Sequence, residues 1–280
     1  MTPEQFKAAR ELLALYIENG VDVALGETPV DHFAPDLGEA AEPPQSIVRI
    51  DRREATERTR PPIPPAAQPA ARSDPALQAP DVAVMAARET ARKAASLQEL
   101  RAILETFEGC PLKLTAKNLV FADGNSQARV MFVGEAPGRD EDLEGLPFVG
   151  RSGQLLDRMM KAVGLDRTSA YIANIIPWRP PGNRTPTPQE AAICLPFILR
   201  QIELCNPDFL VCLGGPAAQA LLGVKEGILK TRGRWLSYQT GTREIRAIAT
   251  LHPAYLLRQP LQKRLAWRDF SMLRKALGES

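Results

Sequence analysis

Cysteine, histidine and long apolar runs are all in short supply in this chain, and each shortage removes a class of protein. The four cysteines, Cys110, Cys194, Cys205 and Cys212, stand far apart with no paired spacing. Neither a disulfide scaffold nor a zinc ribbon is written there, and a reducing cytoplasm is the compartment expected. Nowhere do about eighteen apolar residues run together, so no membrane-crossing helix is read. The first twenty residues, MTPEQFKAARELLALYIENG, carry acids inside their apolar stretch and no small-residue cleavage site, so no export signal is read either. Both the Walker pattern GxxxxGK[ST] and the dinucleotide fingerprint GxGxxG are missing, which argues against a nucleotide-binding α/β enzyme despite the suggestive run FLVCLGGPAAQALLG. With two histidines, imidazole chemistry rests on His32 or His252 alone.

What is present is a chain of 280 residues, 44% hydrophobic, enough for one sizeable core with residues to spare. The net charge of +2 hides an asymmetry. Residues 101–280 carry 24 Lys and Arg against 17 Asp and Glu, a balance of +7, whereas the first hundred carry 11 against 16, a balance of −5. A basic carboxyl-terminal domain is the electrostatic footprint of a nucleic-acid binder, although many basic domains bind no such ligand. Residues 3–20 space Phe6, Ala9, Leu12, Leu13, Leu15 and Tyr16 as one face of a helix that Gly20 ends, within an amino-terminal segment 1–35. Residues 36–82 turn to Pro, Ala, Gln and mixed charge, a composition that buries too little apolar area to offset its ordering entropy and is read as a linker. A single helix is expected over 82–107, opening a domain that runs from 83 to 280.

Beyond Cys110, short apolar and β-branched runs (ARVMFVGEAP, SAYIANIIP, DFLVCLGG, REIRAIATLHP) alternate with helical stretches (GQLLDRMMKAVG, PQEAAICLPFILRQIEL, GPAAQALLG). Strand and helix in alternation predict an α/β fold, a three-layer αβα sandwich around a mostly parallel four-stranded sheet. Ligands of such sheets bind beyond the carboxyl ends of the strands, and the unusual residues of this chain fall there. The first run ends in Gly134-Glu135-Ala136-Pro137-Gly138, followed by Asp140-Glu141-Asp142 and Pro147-Phe148-Val149-Gly150. That is a tight turn exposing amides beside an acid, or merely a strand-to-loop turn. The second ends in Asn174 and a proline-fixed loop RPPGNR. Asn174 offers an amide to a pyrimidine edge, or simply caps backbone. The fourth ends in His252-Pro253-Ala254-Tyr255, where an imidazole is suited to stabilising a developing anion, while His32 is read as solvated beside the linker.

In this order, GEAPG with DED and PFVG, NII with RPPGNRTP, and HPAYLLR with a terminal WRDF helix resemble the uracil-DNA glycosylase superfamily, family 4 most closely, from about Cys110 to Leu277. The resemblance implies a monofunctional base-excision repair hydrolase that flips uracil out of single- or double-stranded DNA. The base would stack on Phe148, be read by Asn174 and meet Ala136 and Gly138. Glu135 and Asn183 would place the attacking water, with Glu141 a third acidic contributor and His252 stabilising the departing anion. Tyr255-Leu256-Leu257-Arg258 resembles an intercalation loop with an apolar wedge and a phosphate-binding arginine, although at least one leucine is expected in the core. Arg184, Lys263, Arg264 and Arg268 are read as DNA contacts, or as solvated charges. Gly138 stands where family 1 carries a thymine-excluding tyrosine, so excision of other deaminated bases is expected as well. The protein is expected to act as a monomer without cofactor.

The chain departs from the family in one respect. Family 4 holds a four-iron, four-sulfur cluster through four cysteines, and Cys110 and Cys194 match two of them, but Phe107 and Trp178 replace the others. Neither ring ligates iron, so the cluster is expected to be absent, with the two rings as an apolar plug. Cys205 and Cys212 are read as small buried hydrophobes. Two alternatives stay open: a relative that binds DNA or senses lesions without turnover, and a covalent uracil trap, although the basic insertion with a nucleophilic histidine that marks the latter is not seen near RPPGNRTP.

Overall fold

The computed structural model describes residues 80–278. The helix expected over 3–20, the 1–35 segment and nearly all of the 36–82 linker lie outside the described residues. The helix expected over 82–107 is two helices, α1 (Pro80–Lys93) and α2 (Leu97–Thr106). Capping causes the break: the Glu99 amide donates to Ser96 Oγ at 3.2 Å, and Glu99 Oε2 accepts from the Ala95 amide at 2.7 Å. The residues around Ser96 thus satisfy the orphan donors of a new helix start, which outweighs the helix propensity of the Ala-rich run. α1 buries Ala83, Ala87 and Ala91, and Ala94 is buried just past its end. This small-residue stripe lets it lie close against α5 (Pro188–Cys205).

Six strands form one sheet: β1 (Asp123–Gly124), β2 (Val130–Gly134), β3 (Ala170–Asn174), β4 (Phe209–Leu213), β5 (Trp235–Gln239) and β6 (Glu244–Thr250). Their order is β1-β3-β2-β4-β6-β5. The four central strands, β3, β2, β4 and β6, are mutually parallel, as expected. Antiparallel β1 and β5 extend the sheet at its two edges, an addition to the four strands read from the sequence.

Every residue of β2, β3 and β4 is buried, which explains why those strands are continuous apolar runs: both faces are covered. Successive side chains divide between the faces. Met131, Val133, Tyr171, Ala173, Leu210 and Cys212 face a core shared with α1, α2, α5 and α6 (Gly215–Leu222). Val130, Phe132, Ile172, Phe209 and Val211 face a second core with α4 (Arg151–Lys161) and α9 (Lys263–Gly278), where Phe132 stacks on Phe270 at 5.9 Å. The result is a three-layer sandwich. The short helices α3 (Arg139–Glu144), α7 (Ile228–Thr231) and α8 (Pro253–Arg258) lie in the loops beyond the strand ends. The end of β6 is tied to α9 by Thr250 Oγ1, which donates to Asp269 Oδ2 at 2.7 Å, while Arg232 forms an ion pair with the same buried carboxylate. Among the described residues no helix is long and apolar enough to cross a membrane.

Candidate active site

Because β2, β3, β4 and β6 run parallel, Glu135, Asn174, Gly214 and His252, the residues at or just past their carboxyl ends, emerge at one edge of the sheet. They open onto one cavity of about 540 Å³. Glu135, Ala136, Gly138, Glu141, Phe148, Asn174, Asn183, Arg184, His252 and Arg258 all line it. Leu256, Lys263 and Arg264 do not. They border a neighbouring groove of about 370 Å³ with Leu155, Arg158, Trp267 and Phe270. Leu256 is 1% exposed and packs in a small cluster with Leu251 and Ala266, whereas Leu257 is 36% exposed. Of the two leucines read as a wedge, Leu256 is therefore a core residue and Leu257 is the one that reaches the surface.

Phe148 and Asn174 form the inner wall, and Gly134 makes their positions possible. A Cβ on Gly134 would stand 2.4 Å from Asn174 Oδ1 and 2.6 Å from Phe148 Cζ, so only hydrogen fits there. The Phe148 ring lies 5.6 Å from the His252 ring at 32°. Asn174 is 4% exposed, and its Oδ1 is buried without a hydrogen-bond partner. An orphaned buried acceptor costs about 1–3 kcal/mol. It is tolerated at the wall of a cavity where a ligand donor can complete it.

The carboxylates near the turn are not equivalent. Glu135 is half-buried, its carboxylate has no hydrogen bond or ion pair among the described residues, and burial raises its pKa. Glu141 is 7% exposed and has both oxygens committed: Oε2 accepts from the Gly138 amide and Oε1 from the Gly150 amide, each at 3.0 Å. Rather than a free acidic contributor it is a clamp between the GEAPG and PFVG turns. Its Oε2 would lie 2.8 Å from a Cβ on Gly138, so the room that glycine leaves is partly filled by the clamp. Asp142, also buried, accepts from the amides of Lys117 and Asn118 and fastens the preceding loop. Asn183 is exposed at the rim with φ +55°, and its Oδ1 accepts from Arg179 Nε at 2.7 Å. Arg184 is forked on Glu190 at 2.8 and 2.6 Å, so the cation it presents is already paired. Arg258, Lys263 and Arg264 have no carboxylate partner among the described residues.

His252 caps the amino terminus of α8, its Nδ1 accepting from the Ala254 amide at 3.1 Å. Burial, helped by nearby Arg258, lowers its pKa to about 4. The imidazole is therefore neutral near pH 7, and with Nδ1 used as an acceptor its proton resides on Nε2. The geometry makes His252 a neutral hydrogen-bond donor rather than a cation. The plain fold explanation, helix capping, accounts for Nδ1 only.

Cys110 and Cys194 are buried with their sulfurs 3.8 Å apart. Trp178 is 2% exposed in the same core, and the Phe107 ring packs edge-on against Phe197 at 4.9 Å and over Gly109, where a Cβ would meet it at 2.5 Å. A four-iron cluster needs four ligands, and these positions supply two thiols, a phenyl ring and an indole whose N–H is a donor only. The donor set does not fit the group. Among the described residues no three His, Cys, Asp or Glu converge as a metal site. Cys205 and Cys212 are buried as expected, and burial pushes the Cys205 thiol up to about 12.

Sequence reasoning passed over two contributors. Gly214, at φ +95°, turns the chain so that its amide donates to the Thr250 carbonyl at 2.8 Å and its Cα packs beside His252. The doublet Gly214-Gly215 after an apolar run was the available signal. Arg179, which orients Asn183, had no signal beyond its place in the RPPGN loop.

A ligand that donates to Asn174 Oδ1 and accepts from His252 Nε2 completes this hollow at the carboxyl edge of an α/β sheet. Residues 121–271 match the family model described as the uracil DNA glycosylase superfamily. The chain belongs to that superfamily. Its relatives there include the type-4 uracil-DNA glycosylase of Thermotoga maritima, 47% identical over 150 residues that cover 53% of this chain and 77% of the relative. Another is the type-4 uracil-DNA glycosylase of Archaeoglobus fulgidus, 37% identical over 188 residues, covering 66% and 94%. That of Saccharolobus solfataricus is 39% identical over 174 residues, covering 60% and 81%.

Proposed function

We propose that this chain is a monofunctional uracil-DNA glycosylase acting in base-excision repair. The observation that carries the reading is Asn174: a buried amide oxygen with no internal partner, beside the Phe148 ring, in a cavity wide enough for one base. A flipped uracil stacks on Phe148, and its ring N–H donates to Asn174 Oδ1. As the C1′–N1 bond breaks, the bonding electrons go to the uracil ring. His252 Nε2–H donates to the oxygen on which that negative charge collects, and a neutral donor needs no proton loss to do so. Glu135, left unpaired and made more basic by burial, takes the proton of a water that adds at C1′ and faces the cationic sugar while it does so. Asn183, oriented by Arg179, holds that water from the other side. Glu141 acts through the two turns it clamps. The products are free uracil and an abasic site.

The likeness to the type-4 enzymes supports DNA as the partner. Leu257 serves as the wedge, with Arg258, Lys263, Arg264 and Arg268 along the phosphates and Arg184 as a paired charge at the rim. The catalytic domain is taken as residues 83–280, with 1–35 and 36–82 as appendages, and it acts as a monomer. No iron-sulfur cluster is held, because Phe107 and Trp178 stand where ligands are required. Gly138 opens the pocket to other deaminated bases within the limit set by Glu141.

The test is a cleavage panel of uracil-, hypoxanthine- and xanthine-containing oligonucleotides with alkaline work-up, run on wild type and on Glu135→Ala, Asn183→Ala and His252→Ala. Uracil cleavage by wild type, lost in the three variants while DNA binding persists, is the expected result. A wild type that binds uracil DNA without cleaving it would make the chain a silent relative, and strict uracil preference would end the broader reading of Gly138.

A further inference from the structure

Phe148 has φ +55°, a left-handed conformation that bulky side chains rarely adopt, although it is one of the most buried residues at the site. A residue in that region persists when its surroundings over-determine it, and two neighbours outside the cavity do so. The first is Gly153 in α4. A Cβ there would stand 1.6 Å from the Phe148 carbonyl oxygen and 2.0 Å from its carbon, so the helix approaches this peptide only as glycine. The second is Arg167, in the loop before β3. Its Nη2 donates to the Phe148 carbonyl, and its Nη1 donates to the Pro147 carbonyl at 3.2 Å. The remaining donors meet carboxylates: Nη1 to Asp123 Oδ2 at 2.5 Å, Nε to Asp157 Oδ1 at 2.9 Å and Nη2 to Asp157 Oδ2 at 3.5 Å. All five N–H groups of the guanidinium are thereby used, two of them on the backbone that carries the ring. Asp123 on β1 and Asp157 on α4 aim the planar group, and none of the three side chains lines the cavity.

We infer that Arg167 is a positioning residue for base stacking: it holds the Pro147-Phe148 backbone in its left-handed turn and so sets the plane against which the flipped base is gripped. A salt bridge of purely structural use would need no contact with these carbonyls. Lysine, a point charge on a flexible stem, would reproduce only part of the arrangement. The inference rests on the proposed stacking of the base on Phe148.

The experiment compares wild type, Arg167→Met, Arg167→Lys, Phe148→Ala and the Phe148→Ala/Arg167→Met double variant. Each is assayed by single-turnover excision from a uracil oligonucleotide and by inhibition with free uracil, well below its melting temperature. Arg167→Met is expected to lower the single-turnover excision rate by roughly 10- to 100-fold and to weaken uracil inhibition by a similar factor, with Arg167→Lys between it and wild type. In the Phe148→Ala background the same change is expected to add less than about threefold, because its effect passes through the ring. Unchanged uracil inhibition in Arg167→Met, or a full second loss in the double variant, would overturn the inference. Should Phe148→Ala excise normally, the stacking reading itself fails. Should Phe148→Ala be impaired while Arg167→Met matches wild type, only the role of Arg167 fails. If Arg167→Met does not fold, Asp157→Asn replaces it in the same cycle, with a smaller loss in the same direction expected and wild-type behaviour refuting.

Discussion

Replacing Gly134 with alanine tests the inner wall of the pocket with one methyl group. Gly134 ends β2 without a positive φ, so the substitution acts through space alone. Ordinary contact begins near 3.4 Å, and the new Cβ would sit 2.4 Å from Asn174 Oδ1 and 2.6 Å from Phe148 Cζ. Both groups must retreat by about 1 Å, and a misplacement of that size costs about 100-fold in rate, or ~2.7 kcal/mol of transition-state stabilisation. Overpacking should also lower folding stability, by about 1–3 kcal/mol, which a thermal melt reads separately. Single-turnover release of uracil and inhibition by free uracil, both measured below the melting transition, are expected to fall together, because reader and stacking ring move as one. Excision within about threefold of wild type in a folded variant would show that neither Phe148 nor Asn174 is held where the chemistry needs it.

The remaining tests address charge, the wedge and the thiols. Since burial raises the Glu135 pKa, kcat/KM should fall on the acid side at a pH above the ordinary glutamate value, and Glu135→Gln should abolish that limb; a limb that survives would assign it elsewhere. His252, lowered to about 4, should add no limb between about pH 5 and 8. Its folded pKa lies below the unfolded value of 6.5, so the stability it contributes is complete above 6.5 and is lost as pH falls toward 4, a dependence that urea titrations of His252→Asn should lack. Leu256→Ala should cost about 2–5 kcal/mol of stability, whereas Leu257→Ala should leave stability within ~0.5 kcal/mol and slow excision from duplex more than from single strands; equal melting curves for the two would refute the division of labour. Iron and sulfide analysis of protein purified without oxygen should find far less than one cluster per chain, and stoichiometric iron would refute the reading of Phe107 and Trp178.

The four central strands were legible because their burial on both faces leaves an unbroken apolar run, and α4, α5 and α6 because their apolar spacing is helical. The edge strands were not. β1 is two residues long, and β5 reads WLSYQ with mixed exposure, so neither offers a run or a clean alternation. The break at Ser96 was legible in principle, as Ser-x-x-Glu, but was outweighed by the helix propensity of its neighbours. In the site, residues touching the cavity stood in turns after strands and could be singled out. What could not be read is how side chains are shared: Glu141 resembled Glu135 until its oxygens were seen on two amides, and Arg184 resembled a free cation until Glu190 was seen beneath it. Pairings across 20 or more residues, such as Arg167 with Asp123, leave no local pattern.

The site draws on four strand ends spread from residue 134 to residue 252, and the last strand to be synthesised, β6, pairs with β4 and leads directly into the imidazole. On the proposed roles, a nascent chain halted between Asn174 and His252 would carry the acid, the ring and the amide reader but nothing to receive the leaving group's charge. Base excision is therefore expected to begin only when translation is nearly finished, with no partial activity from incomplete copies.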